Sequence, residues 1–227
     1  MSRIVVRASW IREDAAARAL LTPADLEHAA RRRDPLPVLT GRALLRRVVG
    51  TVIGENPASV AIERWCPTCG RPGHGRPRVA GRNDIHVSSA HDDTVALVAV
   101  TTLAPVGVDV QGHSATAFDG FDAVALADEE RLPGARLAAM DRPAARARTW
   151  TRKEAILKAV GYGLRVAPRE VLVTAPTEAP AVLAWRRALP RPEPVTLHDV
   201  PLGIDSHAAA VAVLAPGPVE LDVAWVE

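Results

Sequence analysis

Three observations predict an α+β fold and admit one reading in which it is made of two similar halves, residues 1–104 and 105–227. Two long helical stretches, 40–54 and 141–161, carry start and stop signals. Strand-like runs follow each: 59–65, 84–91 and 93–102 after the first, and 169–175, 181–187, 194–200, 206–215 and 219–227 after the second. The runs "SSAHDDTVALVAV" and "IDSHAAAVAVLA" also resemble each other, each setting a His before an Ala/Val strand. A duplicated α+β unit explains the likeness, although any two Ala/Val strands look alike.

Element by element, residues 4–10 alternate weakly and predict a first strand. In "TPADLEHAARRR" (22–33) Thr22 caps a helix, Pro23 occupies its first turn and the acids fall early. In "TGRALLRRVVGTVIG" (40–54) Leu45, Val48, Val49 and Val52 form an apolar stripe and Gly54 ends the helix. Asn56-Pro57 signals a turn, and 66–77, "CPTCGRPGHGRP", is a Gly/Pro-rich loop. "PVGVDVQ" (105–111) is a short strand, 112–121 a loop, and 126–132 the start of a helical stretch. The clearest helix is 141–161, with Asp141 as cap, Pro143 in the first turn and Gly161 as stop.

The 227 residues, 48% hydrophobic and 24% charged, suffice for one large domain or two small ones. Aromatics are only 4%, so Leu, Val and Ala must fill the core. A net charge of +2 argues against wholesale nucleic-acid binding. The local basic clusters "ARRRD" (30–34) and "GRALLRR" (41–47) suit a small polyanion better than a duplex. No apolar run is long enough to span a membrane, and "MSRIVVRASWIRED" lacks a signal peptide's apolar core, so a cytoplasmic protein is expected. Two cysteines make no disulfide framework and are expected as thiols.

Four segments carry candidate chemistry. In "WTRKEAILKAVGYGL" (150–164) Glu154 and Lys158 share a helix face with Trp150. One reading is a surface ion pair worth about 0.3–0.5 kcal/mol. The other is a packed face, where a glutamate needs a cation, followed by a Gly161/Gly163 loop that admits a ligand to the backbone. In "GVDVQ" (107–111) Asp109 and Gln111 point to one side of a strand, a half-site for Mg²⁺ or, equally, a strand-edge turn. Cys66, Cys69 and His74 fall short of the four ligands of a structural zinc unless His86 or His91 completes the set, while "HGRP" (74–77) suits a phosphate or nucleotide. His91 ends the strand of "VSSAHDD" (87–93), where it is either structural or able to reach the same cleft as Asp109.

Together these segments resemble the 4′-phosphopantetheinyl transferase superfamily, in particular its long Sfp-type group, whose single chain holds two similar halves. The likeness runs in order through the arginine-rich first helix and "GRALLR", "CxxCG…HGRP", the Ser-rich strand ending in His91, "GVDVQ", and a W-x-x-KE-A-x-x-K signature at 150–158. It implies pseudo-two-fold halves with the active site in the cleft between them. The implied reaction moves 4′-phosphopantetheine from coenzyme A to a serine of an apo acyl or peptidyl carrier protein and releases 3′,5′-ADP. By the same resemblance Asp109 and Glu154 bind Mg²⁺, for which Mn²⁺ can substitute, with Gln111 as a third metal position. Glu154, Lys158 and Asp109 are the catalytic set. Lys158 contacts the phosphates of coenzyme A, and Arg33, Arg42, Arg76, Pro77, Ser89 and His91 line its site, His91 near the 3′-phosphate. Lys153 is the lysine of the KE pair. Either Glu154 or a metal-bound water takes the serine proton. The carrier is expected to dock on basic residues near the cleft and on 112–135, and the enzyme to act as a monomer without nucleic acid or membrane.

Three departures stand out: Gln111 replaces an acid, Ala90 replaces a Ser so that Ser89 must supply any hydroxyl, and the "CGRPGHGRP" loop is longer by one residue. The competing expectations are a non-catalytic coenzyme A- or nucleotide-binding module and a zinc-dependent nucleic-acid-binding protein. The intact Asp109, Glu154 and Lys158 oppose the first, and the Cys count and small net charge oppose the second.

Overall fold

The computed structural model describes residues 2–66, 70, 71, 73, 75–131, 141–186 and 194–226. In chain order the elements are β1 (Arg3–Trp10), α1 (Ala15–Arg18), α2 (Pro23–Ala30), α3 (Leu36–Ile53), β2 (Ile62–Trp65), β3 (Arg76–Val79), β4 (His86–His91), β5 (Val95–Thr101), β6 (Val106–Gly112), α4 (Phe121–Ala125), α5 (Arg142–Val160), β7 (Val171–Val173), β8 (Val182–Trp185), β9 (Thr196–Asp199), β10 (His207–Val213) and β11 (Glu220–Trp225). Helices and mostly antiparallel sheets are mixed along the chain, an α+β fold. Two compact units form: Met1–Ala104 with Val219–Glu227, and Pro105–Pro218.

In the first unit the sheet order is β11-β1-β5-β4. Helix α3 lays Leu44, Leu45, Val48 and Val49 against Val87, Ala96, Val98 and Val100 of β4 and β5. It begins before the expected residue 40, because prolines at 35 and 37 fit a first helical turn, and it ends on Gly54 at φ +74°. Helix α2 starts with the expected Thr22 cap, reciprocated by the Asp25 side chain. A separate hairpin joins β2 and β3.

The last strand corrects the expected boundaries. Residues 219–227, expected in the second half, instead supply β11 to the first unit, paired in parallel with β1 from Arg3 opposite Glu220 through Ala8 opposite Trp225. Asp222 accepts from Arg7 at 2.8 Å and also pairs with Arg3, and Trp10 stacks on Trp225 at 4.7 Å. These partners lie more than two hundred residues away in sequence, so no local pattern points to them.

In the second unit β6, β10 and β9 form an antiparallel sheet. Helix α5 covers it, burying Ile156 and Leu157 with Val171, Leu197, Ala210 and Ala212. Full burial of a leucine such as Leu157 contributes on the order of 2–5 kcal/mol against Ala. The expected loop 112–121 contains a 3-10 turn at His113–Thr116 and leads into α4. Of the helical stretch expected to start at 126–132, the described residues form a 3-10 turn, Asp128–Glu130, closed by Glu130 on the Ala127 amide, and the rest of that expectation lies outside the described residues. Among the described residues no helix is long and apolar enough to cross a membrane.

Candidate active site

The site in the second unit starts from a glycine. A Cβ on Gly107 would lie 2.0 Å from the Ala155 carbonyl oxygen and 2.4 Å from the Ala159 nitrogen, so α5 lies directly on the backbone of β6. The residues opposite on β10 are small as well: Ala212 faces Gly107, Ala210 faces Asp109 and Ala208 faces Gln111. This floor of glycine and alanine sets how near the helix comes. By alternation Gly107, Asp109 and Gln111 share the helix-facing side of the strand.

Helix α5 is well bounded, with the Asp141 carboxylate accepting from Ala144 N at 2.7 Å and Gly161 closing it at φ +78°. Trp150 packs against Phe121 of α4, so the face it shares with Glu154 and Lys158 is not a bare surface. Lys158 turns toward the strand, donating to Asp109 Oδ1 at 2.6 Å and to the Val108 carbonyl at 3.1 Å. Asp109 is only 7% exposed. Of the two readings of Glu154 and Lys158, the surface pair gives way to an ion pair from helix to strand, Lys158 with Asp109.

Glu154 Oε1 is buried and, among the described residues, has no hydrogen-bond partner. Burial pushes its carboxyl up to about 7, the neighbouring Asp109 charge pushes the same way, and Lys158 opposes both. Two carboxylates with one ammonium, one carboxylate oxygen lacking a donor, form a site short of positive charge. Hard oxygen donors of this kind suit Mg²⁺, so Asp109 and Glu154 fit as its ligands, with Gln111 on the same strand face. Among the described residues no group of three or more His, Cys, Asp or Glu converges on a metal position. The remaining ligands would have to be amide, phosphate or water oxygens.

The other two charges of α5 face inward. Arg152 and Lys153 are both 0% exposed. Lys153 Nζ donates to the Ala125 carbonyl at 2.8 Å and pairs with Glu130, whose oxygens also accept from Ala127 N at 2.9 Å and Val173 N at 3.0 Å. Arg152 pairs with Asp199 of β9. Glu130, Asp199 and Gly107 escaped the sequence reading. Glu130 and Asp199 give no local signal, since their partners lie 23 and 47 residues away. The glycine two residues before Asp109 was the one available hint.

In the first unit, Arg33 lies in the exposed turn after α2. Arg42 is buried, its guanidinium 2.6 Å from Asp25 Oδ1, and Arg46 holds Asp25 Oδ2 at 2.8 Å. Asp25, Arg42 and Arg46, with Arg64 and Trp65 but not Arg33, line a cavity of about 610 Å³. Burial first, then the Arg42 and Arg46 charges, lower the Arg64 pKa to about 10 against the opposing Asp25. Three guanidinium groups face one carboxylate there, an electropositive cavity that the sequence signals at Arg42 and in the 41–47 basic cluster but not at Arg64. Arg76 opens β3, half-buried, and Pro77 is buried beside it. Ser89 is half-buried in β4 opposite Val98, and His91 ends that strand opposite Ala96. The His91 ring meets α3 at Gly41, where an added Cβ would lie 3.9 Å from Cδ2. Cys66 is half-buried, while Cys69 and His74 lie outside the described residues.

No curated protein matches the chain. A family model does match residues 105–212, the stretch that contains β6, α5 and the Asp109–Lys158 pair, and it is that of the 4′-phosphopantetheinyl transferase superfamily. Over this segment, residues 105–212, the chain is similar to the 4′-phosphopantetheinyl transferase superfamily.

Proposed function

We propose that this protein is an Sfp-type enzyme that transfers 4′-phosphopantetheine from coenzyme A to a serine of an apo acyl or peptidyl carrier protein, releasing 3′,5′-ADP in a Mg²⁺-dependent reaction. The observation that carries the reading is the half-buried Glu154, with one buried carboxylate oxygen lacking a hydrogen-bond partner among the described residues, near the Asp109–Lys158 pair and within the segment the family model matches. The reading keeps the two-half organisation expected from the sequence. Nucleotide contacts are assigned to the first unit, and metal ligands and reacting groups to the second.

Asp109 and Glu154 would hold Mg²⁺, with Gln111 contributing an amide oxygen or a hydrogen bond to a metal-bound water. The ion supplies charge neutralisation on the pyrophosphate oxygens of coenzyme A. Lys158, already beside Asp109, is placed to donate to a phosphate oxygen or to protonate the leaving 3′,5′-ADP phosphate. Glu154 is the candidate acceptor for the carrier serine's proton, directly or through a water. The attacking oxygen then forms its bond to the β-phosphorus as the bond to the ADP oxygen breaks.

Arg76, Pro77, Ser89 and His91 are assigned to coenzyme A, and Arg33 to the exposed edge of the same site. Arg42 acts with Arg46 and Arg64 as a charged wall, its guanidinium held in place by Asp25. Incubating the protein with coenzyme A, Mg²⁺ and a panel of apo carriers tests the reading. A carrier should gain the mass of one phosphopantetheine, and chelation should prevent it. Coenzyme A binding with no transfer to any carrier would favour the non-catalytic module instead.

A further inference from the structure

We propose that Arg152 is a positioning residue for Glu154: with Asp199 it fixes the roll of α5 about its own axis, and so fixes where the Glu154 carboxylate stands. The importance of that position rests on the transferase reading above.

Arg152, Lys153 and Glu154 are consecutive, so they leave the helix at steps of about 100°. A helix on a protein surface would turn at least one of three such charges to water. Here Arg152 is 0% exposed and all five of its N–H groups are used. Nε and Nη2 donate to the two Asp199 oxygens at 2.8 and 2.7 Å. Nη1 donates to the carbonyls of Thr174 at 3.1 Å and Ala175 at 2.9 Å, and Nη2 also to that of Glu178 at 2.9 Å. One side chain therefore ties α5 to strand β9 and to the 174–178 segment. Lys153 makes the matching tie on the next face, to Ala125 and Glu130.

Stability alone is a poor account of this arrangement. Buried ion pairs are often replaceable by apolar residues of similar volume at no net loss. What apolar contacts lack is direction: they tolerate a small roll of the helix, whereas five directed hydrogen bonds do not. Glu154 Oε1 has no hydrogen-bond partner among the described residues, so that carboxylate oxygen takes its place from the helix that carries it. A carboxylate about 6 Å from the helix axis moves about 1 Å for a roll of about 10°, and a displacement of that size is costly at a reacting centre.

The test is a double-mutant cycle between Arg152→Met and Glu154→Gln, read as the rate of transfer from labelled coenzyme A to a carrier. Arg152→Met should lower kcat at least tenfold in the parent, with KM for coenzyme A changed less than twofold, yet lower it less than twofold in the Glu154→Gln background. Equal losses in both backgrounds, or no loss in the parent, would overturn the inference. If Arg152→Met does not fold, Asp199→Asn takes its place in the cycle with the same outcomes. A second arm needs no carrier: Mn²⁺ binding in the presence of coenzyme A, followed by electron paramagnetic resonance. It should weaken at least fivefold in Arg152→Met, and unchanged binding would count against the proposal. A parent without transfer activity would overturn the transferase reading and leave the Mn²⁺ arm to decide this one. A parent that binds no Mn²⁺ would overturn both.

Discussion

Lys158 donates to Asp109 Oδ1 at 2.6 Å, bridging helix α5 and strand β6. The lysine that helical spacing pairs with Glu154 is thus held by a different carboxylate, and the two acids share one cation. Removing that cation in Lys158→Met should cost about 1–3 kcal/mol in stability, because the pair is only partly exposed. Transfer should fall by about 10² or more. Melting and rate measured on one sample check both.

Gly107 sets the approach of helix to strand. Gly107→Ala would force Cβ to within 2.0 Å of the Ala155 carbonyl, so α5 must lift away from β6. A loss of about 2 kcal/mol or more is expected, with activity falling beyond what the unfolded fraction explains. Gly41→Ala is the control. Its Cβ meets only His91 Cδ2 at 3.9 Å, and in mid-helix it should be neutral or stabilising by up to about 1 kcal/mol.

Glu154 makes stability depend on pH in a definite direction. Its folded-state pKa of about 7 lies above the ordinary value of 4.5. Between those values the folded protein binds more protons than the unfolded chain, so stability falls as pH rises from about 4.5 to 7. In chelator, Glu154→Gln should therefore gain stability over the parent as pH rises through that window, by about 2–3 kcal/mol at pH 8. Mg²⁺ with coenzyme A should shrink the difference. Melting curves of both proteins from pH 5 to 8 measure it.

How much of this was legible in the sequence depended on distance along the chain. Helix α5, its Asp141 and Gly161 ends and the Asp109/Gln111 alternation follow from neighbouring residues, and the structure has them. Asp109, Glu154 and Lys158 were each visible, but not that Lys158 would choose Asp109. That choice depends on Gly107 and the alanines of β10, a hundred residues away. The placement of β11 beside β1 and the burial of Arg152 and Lys153 depend on partners no local pattern names. A run of three charges reads as solvated surface until its partners Asp199 and Glu130 are known.

Gln111 is where the site carries less charge than the resemblance implies. A neutral amide lends the metal an oxygen but no anion, so Mg²⁺ should depend more on the phosphates of coenzyme A. Gln111→Glu should fold normally and lower the Mg²⁺ concentration that gives half-maximal rate. Gln111→Ala should be mild beside Asp109→Ala. Equal damage from the two alanine variants would make Gln111 a principal ligand, and an unmoved Mg²⁺ curve in Gln111→Glu would take the side chain away from the metal.

The most direct measurement is the intact mass of an apo carrier after incubation with coenzyme A, Mg²⁺ and either the parent or Glu154→Gln, both first shown to be folded by melting. The parent should convert the carrier serine to its phosphopantetheine ester and release 3′,5′-ADP, and the variant should be slower by about 10² or more. Equal conversion by both proteins would contradict the role given to Glu154, and no conversion of any carrier by the folded parent would contradict the account as a whole.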